Sequence, residues 1–162
     1  MNLNDLQHPA STLRQELDGF FVEIDVNQKR ADIVLMRPPY NVITMLQREQ
    51  LRITFEALDA NDAVRVIVLR GQGEHFSSGG KIKGFLEASP EHVSKLAWNV
   101  AAPARCSKPV IAAISGHAVA GRLELALWCD LRVVERSAIM GVYCRRWGVP
   151  LIDGGTIRLP RL

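Results

Sequence analysis

The sequence predicts an α/β fold with a largely parallel sheet, and three observations carry that expectation. Two β-branched runs, "VRVIVLRG" (64–71) and "KPVIAAIS" (108–115), are short and apolar enough for strands covered on both faces. Helical patterns alternate with strand patterns along the chain, in the rhythm strand, strand, helix. Glycine-rich turns follow both buried-type strands, where open α/β sheets place their ligands.

The elements follow in order. Residues 1–17 are polar and expected to be loosely held, and residues 18–162 read as one domain. "FFVEIDV" (20–26) and "ADIVLM" (31–36) flank the turn "NQKR" and read as a hairpin. "RPPYN" (37–41) breaks that pattern. "TMLQREQLRITFEALDA" (44–60) reads as an amphipathic helix with Thr44 as N-cap and Leu46, Leu51, Phe55 and Leu58 on its buried stripe. After the strand over 64–71 comes a Gly/Ser-rich loop (71–85). A helix over 89–106 opens with Ser89 as N-cap and Pro90 at the first helical position. The strand over 108–115 ends at Gly116, and a helix containing Glu124 follows. "DLRVVER" (130–136) and "AIMGVY" (138–143) read as short strands, and "VPLIDGGTIRLPRL" (149–162) holds a break and a helical start.

Composition excludes several functions. Of 162 residues, 48% are apolar and 23% charged, which suits a globular domain with a real core. The net charge is +3 and the cations are scattered, Arg145-Arg146 being the one tight group, so nucleic acid is not an expected partner. Three cysteines (Cys106, Cys129, Cys144) without a Cys-x-x-Cys pair argue against a disulfide framework or a zinc site and for a reducing compartment. The first twenty residues lack the apolar core of a secretory signal, and no run approaches the roughly 18 apolar residues of a membrane span. Cytoplasm is the expected location.

Two glycine turns and one acid carry the chemistry. Ser78-Gly79-Gly80-Lys81 and Ala120-Gly121-Arg122 each follow a buried-type strand and lead toward a helix N-terminus, where backbone N–H groups lack partners. Two such groups converging on one oxygen form an oxyanion hole. Glycine also serves such turns for shape alone, and composition does not say that the two meet. Glu124 sits among Leu123, Leu125, Ala126, Leu127 and Trp128, with no cation three or four residues on. A carboxylate in that setting is either a buried structural acid or an acid–base catalyst whose pKa burial has raised.

Taken together, "HFSSGGKIKGF" (75–85), "KPVIAAISGHAVAGRLELALWCDLRVV" (108–134) and "GVPLIDGGTIRLPRL" (148–162) resemble the crotonase, or enoyl-CoA hydratase/isomerase, superfamily. "RPPYNVI" (37–43) is similar to its first coenzyme-A loop, which brings in Val42. The resemblance implies a spiral of ββα units and an unsaturated acyl-CoA ligand whose thioester oxygen sits between the backbone amides of Gly80 and Gly121. It implies that Glu124 moves a proton or orients water, and that Gly80, Lys81, Ile82 and Lys83 run along coenzyme A, though Lys83 reads equally well as a solvated surface lysine. No metal or redox cofactor is implied; coenzyme A enters as part of the substrate.

The chain departs from the family pattern. Cys144 stands where hydratases carry a second glutamate, and a thiol does not simply replace a carboxylate as proton donor to carbon. Asp153 is the nearest other acid, either a substitute or, as is more usual before Gly-Gly, a turn or cap residue. Lys81 stands in place of an aspartate. Arg122 stands where a third glycine is common, and it either binds a carboxylate or a coenzyme-A phosphate or points to solvent. His117 reads as packing in the strand–helix turn, and His75, Ser77 and Ser78 make no nucleophilic system; the chain has no Gly-x-Ser-x-Gly elbow. Family members usually run on through a helical part that closes the acyl pocket and builds a trimer, so a homotrimer or hexamer is expected where that part is present. The leading expectation is an enoyl-CoA hydratase/isomerase-like enzyme, hydration first. The alternative is a non-catalytic acyl-CoA binder or an inactive short relative.

Overall fold

The structure is a computed structural model that describes residues 13–80, 91 and 105–162. Strands β1 (Leu13–Leu17), β2 (Phe20–Asp25) and β3 (Arg30–Leu35) form an antiparallel meander. Helix α1 (Met45–Ala60) crosses to β4 (Val66–Gly71), which pairs parallel with β3. Strand β5 (Val110–Ile114) lies parallel to β4, and β7 (Leu131–Val134) parallel to β5. One six-stranded sheet results, in the order β1-β2-β3-β4-β5-β7. A second, two-stranded parallel sheet joins β6 (His117–Val119) to β8 (Ile139–Gly141), with α2 (Gly121–Trp128) leaving β6. A 3-10 turn (Cys144–Trp147) and the one-turn helix α3 (Gly155–Arg158) follow.

The parallel register explains the apolar runs. Ile33 pairs with Leu69 and Leu69 with Ala112, and all three are fully buried. Strand β3 is buried along nearly its whole length, as expected of a strand covered on both faces. The hairpin between β2 and β3 turns at residues 26–29, with Lys29 at φ 53° and the Gln28 N–H donating to Asp25 Oδ1. Arg30 belongs to β3.

Helix α1 starts where the sequence places it. Thr44 Oγ1 accepts from the Gln47 N–H at 3.2 Å, closing the N-terminus. Its stripe needs correction: Leu51, Phe55 and Leu58 are fully buried, but Leu46 is 61% exposed. Leu46 precedes Leu51 by five residues, which at 3.6 residues per turn puts the two on different faces. The position on the buried face is Arg48, three before Leu51, and it is almost fully buried. Phe55 meets Trp128 of α2 edge to face, with ring centroids 5.1 Å apart.

Two further corrections concern strands. Leu13–Leu17 was expected to be loose, yet it pairs antiparallel with β2 from Phe20 to Ile24, because the edge of β2 offers it a ladder of backbone hydrogen bonds. His117–Val119, expected as part of a turn, forms β6, whose neighbours are β8 and a bridge from Ala118 to Ser77. The strands expected over 64–71, 108–115, 130–136 and 138–143 are present but shorter. The helix expected over 89–106 lies almost wholly outside the described residues, as do Lys81, Ile82 and Lys83.

Candidate active site

The ends of β6 and β4 and the loops after them enclose one pocket of about 140 Å³. Gly80, Gly121, Arg122, Glu124, Cys144 and Asp153 all line it, with Arg48 from α1 and an apolar wall that includes Val119, Trp147 and Pro150. The two glycine turns of the sequence therefore meet in space. Val42 does not reach the pocket: it is half-buried, between Asn41 and Ile43.

Local structure sets each turn. Asn41 is buried at φ 49°, and its side-chain amide donates to the carbonyls of Gln72 and His75 at 3.0 and 2.7 Å. This clamps the 37–43 loop onto the Gly/Ser loop, so that the Ile43 N–H donates to the Gly79 carbonyl at 3.1 Å. On the other side, Ala120 holds φ 55° and ψ −134°, a conformation that side-chain-bearing residues rarely adopt. Its N–H donates to the Gly141 carbonyl at 3.0 Å. That turn places Gly121 at the first position of α2, where a backbone N–H lacks an intrahelical partner. Neither the Gly80 nor the Gly121 N–H has an acceptor among the described residues.

Glu124 is 2% exposed, and its two oxygens are not equivalent. Oε1 accepts from the Asp153 N–H at 3.0 Å and the Gly155 N–H at 2.7 Å. Oε2 has no partner among the described residues and lies 3.9 Å from where a Cβ on Gly121 would stand. One oxygen is thus anchored and the other faces the Gly121 turn. Burial pushes the carboxyl above its ordinary range; the Gly155 N–H opposes this, and the charge of Asp153 adds to it. Gly155 must be glycine for this contact, since a Cβ there would stand 2.8 Å from Glu124 Cγ and Oε1.

Asp153 lies in the bend before Gly154-Gly155, as expected of a turn residue, and it is also paired. It is 2% exposed, and both of its oxygens accept from Arg48, Nη2 to Oδ1 at 2.6 Å and Nη1 to Oδ2 at 3.0 Å. A carboxylate clamped in this way is poorly placed to serve as a substitute acid. Cys144 is buried in the pocket wall at the start of the 3-10 turn, and burial raises its pKa, so the thiol stays neutral. Arg122 does not point to solvent: it is 1% exposed, and burial lowers its pKa to about 10. His75 and His117 pack edge to face with Nδ1 atoms 3.3 Å apart, beside Tyr40, away from the pocket lining. Among the described residues no group of three His, Cys, Asp or Glu side chains is placed to hold a metal ion, and no helix is long and apolar enough to cross a membrane.

Sequence reasoning missed Arg48, the Ala120 strain and the role of Gly155. The signal for Arg48 was a cation on the 48-51-55-58 stripe. For Ala120 and Gly155 there was none, because each depends on a partner distant in sequence.

Known proteins resemble this chain in sequence and in fold. Residues 25–162 match the family model for enoyl-CoA hydratase/isomerase. YngF of Bacillus subtilis (strain 168), an enoyl-CoA hydratase/isomerase by name, is 35% identical over 144 residues, covering 84% of this chain and 55% of YngF. The structure of Pseudomonas aeruginosa DspI superposes with a TM-score of 0.83 at 31% identity, over 94% of this chain and 64% of that one. The enoyl-CoA hydratase of Thermoplasma volcanium GSS1 gives a TM-score of 0.77 at 31% identity, over 87% of this chain and 58% of that one. The chain spans little more than half the length of YngF.

Proposed function

Because this chain belongs to the enoyl-CoA hydratase/isomerase family, we propose that it binds an unsaturated acyl-CoA thioester and moves a proton beside the thioester through an enolate. The observation that carries this reading is the asymmetry of Glu124. Oε1 is held by two backbone N–H groups, while Oε2 faces the Gly121 turn. The Gly80 and Gly121 amides would donate to the thioester oxygen as charge develops on it. Donors fixed in advance cost no reorganisation at the moment of reaction. The carboxyl, raised by burial, is suited to take and return a proton near neutrality.

One free carboxylate oxygen does one kind of work without help. Glu124 removes a proton from the carbon next to the thioester, the electrons move onto the carbonyl oxygen, and the same carboxyl returns the proton farther along the chain. That is a double-bond shift. Hydration is the second reading, favoured by the hydratase named among the similar structures. It needs a proton donor to carbon after water adds; burial makes the Cys144 thiol a weaker acid than usual, and Asp153 is clamped by Arg48. In hydration Glu124 would have to supply that proton as well.

The pocket is smaller than the roughly 300–1,000 Å³ that engulf a drug-sized ligand. It suits the acyl end, with coenzyme A lying outside along the stretch from Gly80 through Lys81, Ile82 and Lys83. Assembly into trimers or hexamers, as expected for the family, belongs to the same proposal.

The test is α-proton exchange. Butyryl-CoA incubated with the protein in heavy water should lose its α-proton signal, and 3-enoyl and 2-enoyl thioesters should interconvert. Binding of acyl-CoA with neither exchange nor turnover would favour the non-catalytic binder instead.

A further inference from the structure

Arg122 carries a charge that the described residues leave unanswered. It is among the largest fully buried side chains, and it lines the pocket. Its Nε and Nη1 have no hydrogen-bond partner among the described residues. Neither carboxylate nearby hydrogen-bonds to it: Asp153 gives both oxygens to Arg48, and Glu124 Oε1 accepts two backbone N–H groups while Oε2 faces the Gly121 turn. The Arg48–Asp153 pair is neutral as a unit. Glu124 makes no hydrogen bond to Arg122 among the described residues, so the guanidinium's buried donors stay unmet.

A buried guanidinium without a partner is costly, because burial strips the water that would hydrate it. Such a group is tolerated where an occupant of the pocket completes it. The occupant must be an anion and must be small. Guanidinium donors lie in one plane and match the fork of a carboxylate. The phosphates of coenzyme A are a poor fit, since they belong to the nucleotide end and the pocket of about 140 Å³ holds the acyl end.

We propose that Arg122 binds a carboxylate on the acyl group, so that the preferred substrate is the thioester of a short dicarboxylic acid. This rests on the acyl-CoA reading of the same pocket. The thioester carbonyl would sit at the Gly121 turn and the distal carboxylate at Arg122, which also fixes the acyl chain relative to Glu124 Oε2. A plain alkyl chain in the same place would leave the guanidinium dry and unpaired.

The experiment is titration calorimetry with glutaryl-CoA and pentanoyl-CoA, which have the same number of acyl carbons. Glutaryl-CoA should bind at least ~10-fold more tightly, about 1.4 kcal/mol. Arg122→Gly and Arg122→Leu should each erase that preference, and Arg122→Lys should keep part of it. Equal binding of the two thioesters to the wild-type chain overturns the proposal and leaves the acyl-CoA reading standing. A preference that survives in either variant also overturns it. Binding of neither thioester overturns both readings together. The wild-type comparison decides the matter even if a variant fails to fold.

Discussion

Replacing Glu124 by glutamine is the sharpest perturbation available in this pocket. Glutamine keeps the length and one amide oxygen, which can still accept from the Asp153 and Gly155 N–H groups now 3.0 and 2.7 Å from Oε1. The anchored side of the residue is thereby preserved. The side facing Gly121 becomes an amide nitrogen, which cannot take a proton. Loss of a positioned general acid–base typically costs 10²–10⁴-fold, so turnover should fall by about 10²-fold or more. Acyl-CoA affinity should change little, because the pocket wall and the Gly80 and Gly121 amides are untouched. The assay is the change in enoyl-thioester absorbance during turnover, beside calorimetric titration with a saturated acyl-CoA. Equal turnover in the two proteins would refute the reasoning and leave Glu124 as a buried structural acid.

Other outcomes follow from the same contacts. Glu124 has a raised folded-state pKa, so the folded protein holds its proton more tightly than the unfolded chain. Its contribution is most favourable below the ordinary value of 4.5 and declines as pH rises toward the raised value. The stability of Glu124→Gln relative to wild type should therefore grow with pH over that window in denaturant titrations, and a flat or falling difference would contradict the burial argument. Gly155→Ala should push the Glu124 side chain aside and lower turnover by about 10²-fold, the scale of a 1 Å misplacement; unchanged turnover would show that the anchored oxygen is dispensable. Asp153→Asn should cost up to about 3–5 kcal/mol by breaking the buried Arg48–Asp153 pair, with much of it recovered in the Arg48→Met/Asp153→Leu double variant. Cys144→Glu should raise hydration or leave it unchanged, and a fall in hydration with acyl-CoA binding retained would show that Cys144 does not occupy the place of a second acid.

The fold was legible where periodicity and burial agree. The β2–β3 hairpin, the runs that became β4 and β5, and the Thr44 cap are local patterns, and each appears within a few residues of its expected place. Leu46 failed because hydrophobicity was counted without its angle around the helix. Strand β1 failed because its partner, not its composition, makes it a strand. In the site, Gly80, Gly121 and Glu124 stood out from type and order and Cys144 only through the family resemblance, and all four line one pocket. The pairing of Asp153 was not legible because its partner Arg48 lies 105 residues away. A bidentate pair over that separation leaves no trace in local sequence.

The charge balance of the pocket is what joins these observations. Two arginines and two acids line it: Arg48, Arg122, Glu124 and Asp153. Bidentate geometry removes Arg48 and Asp153 from the balance. Glu124 and Arg122 remain, near enough for each to shift the other's pKa, yet without a hydrogen bond between them. Had they paired, Glu124 would be held ionised and unable to act as an acid. Backbone donors hold the carboxylate instead, and the strained Ala120 turn sets the helix that carries both side chains. The guanidinium is left free for a second anion, so an anionic ligand at Arg122 would itself raise the pKa of Glu124 by removing the one cation that opposes its protonation. Under the two proposals above, substrate charge and the acidity of Glu124 would be one coupled quantity in this pocket.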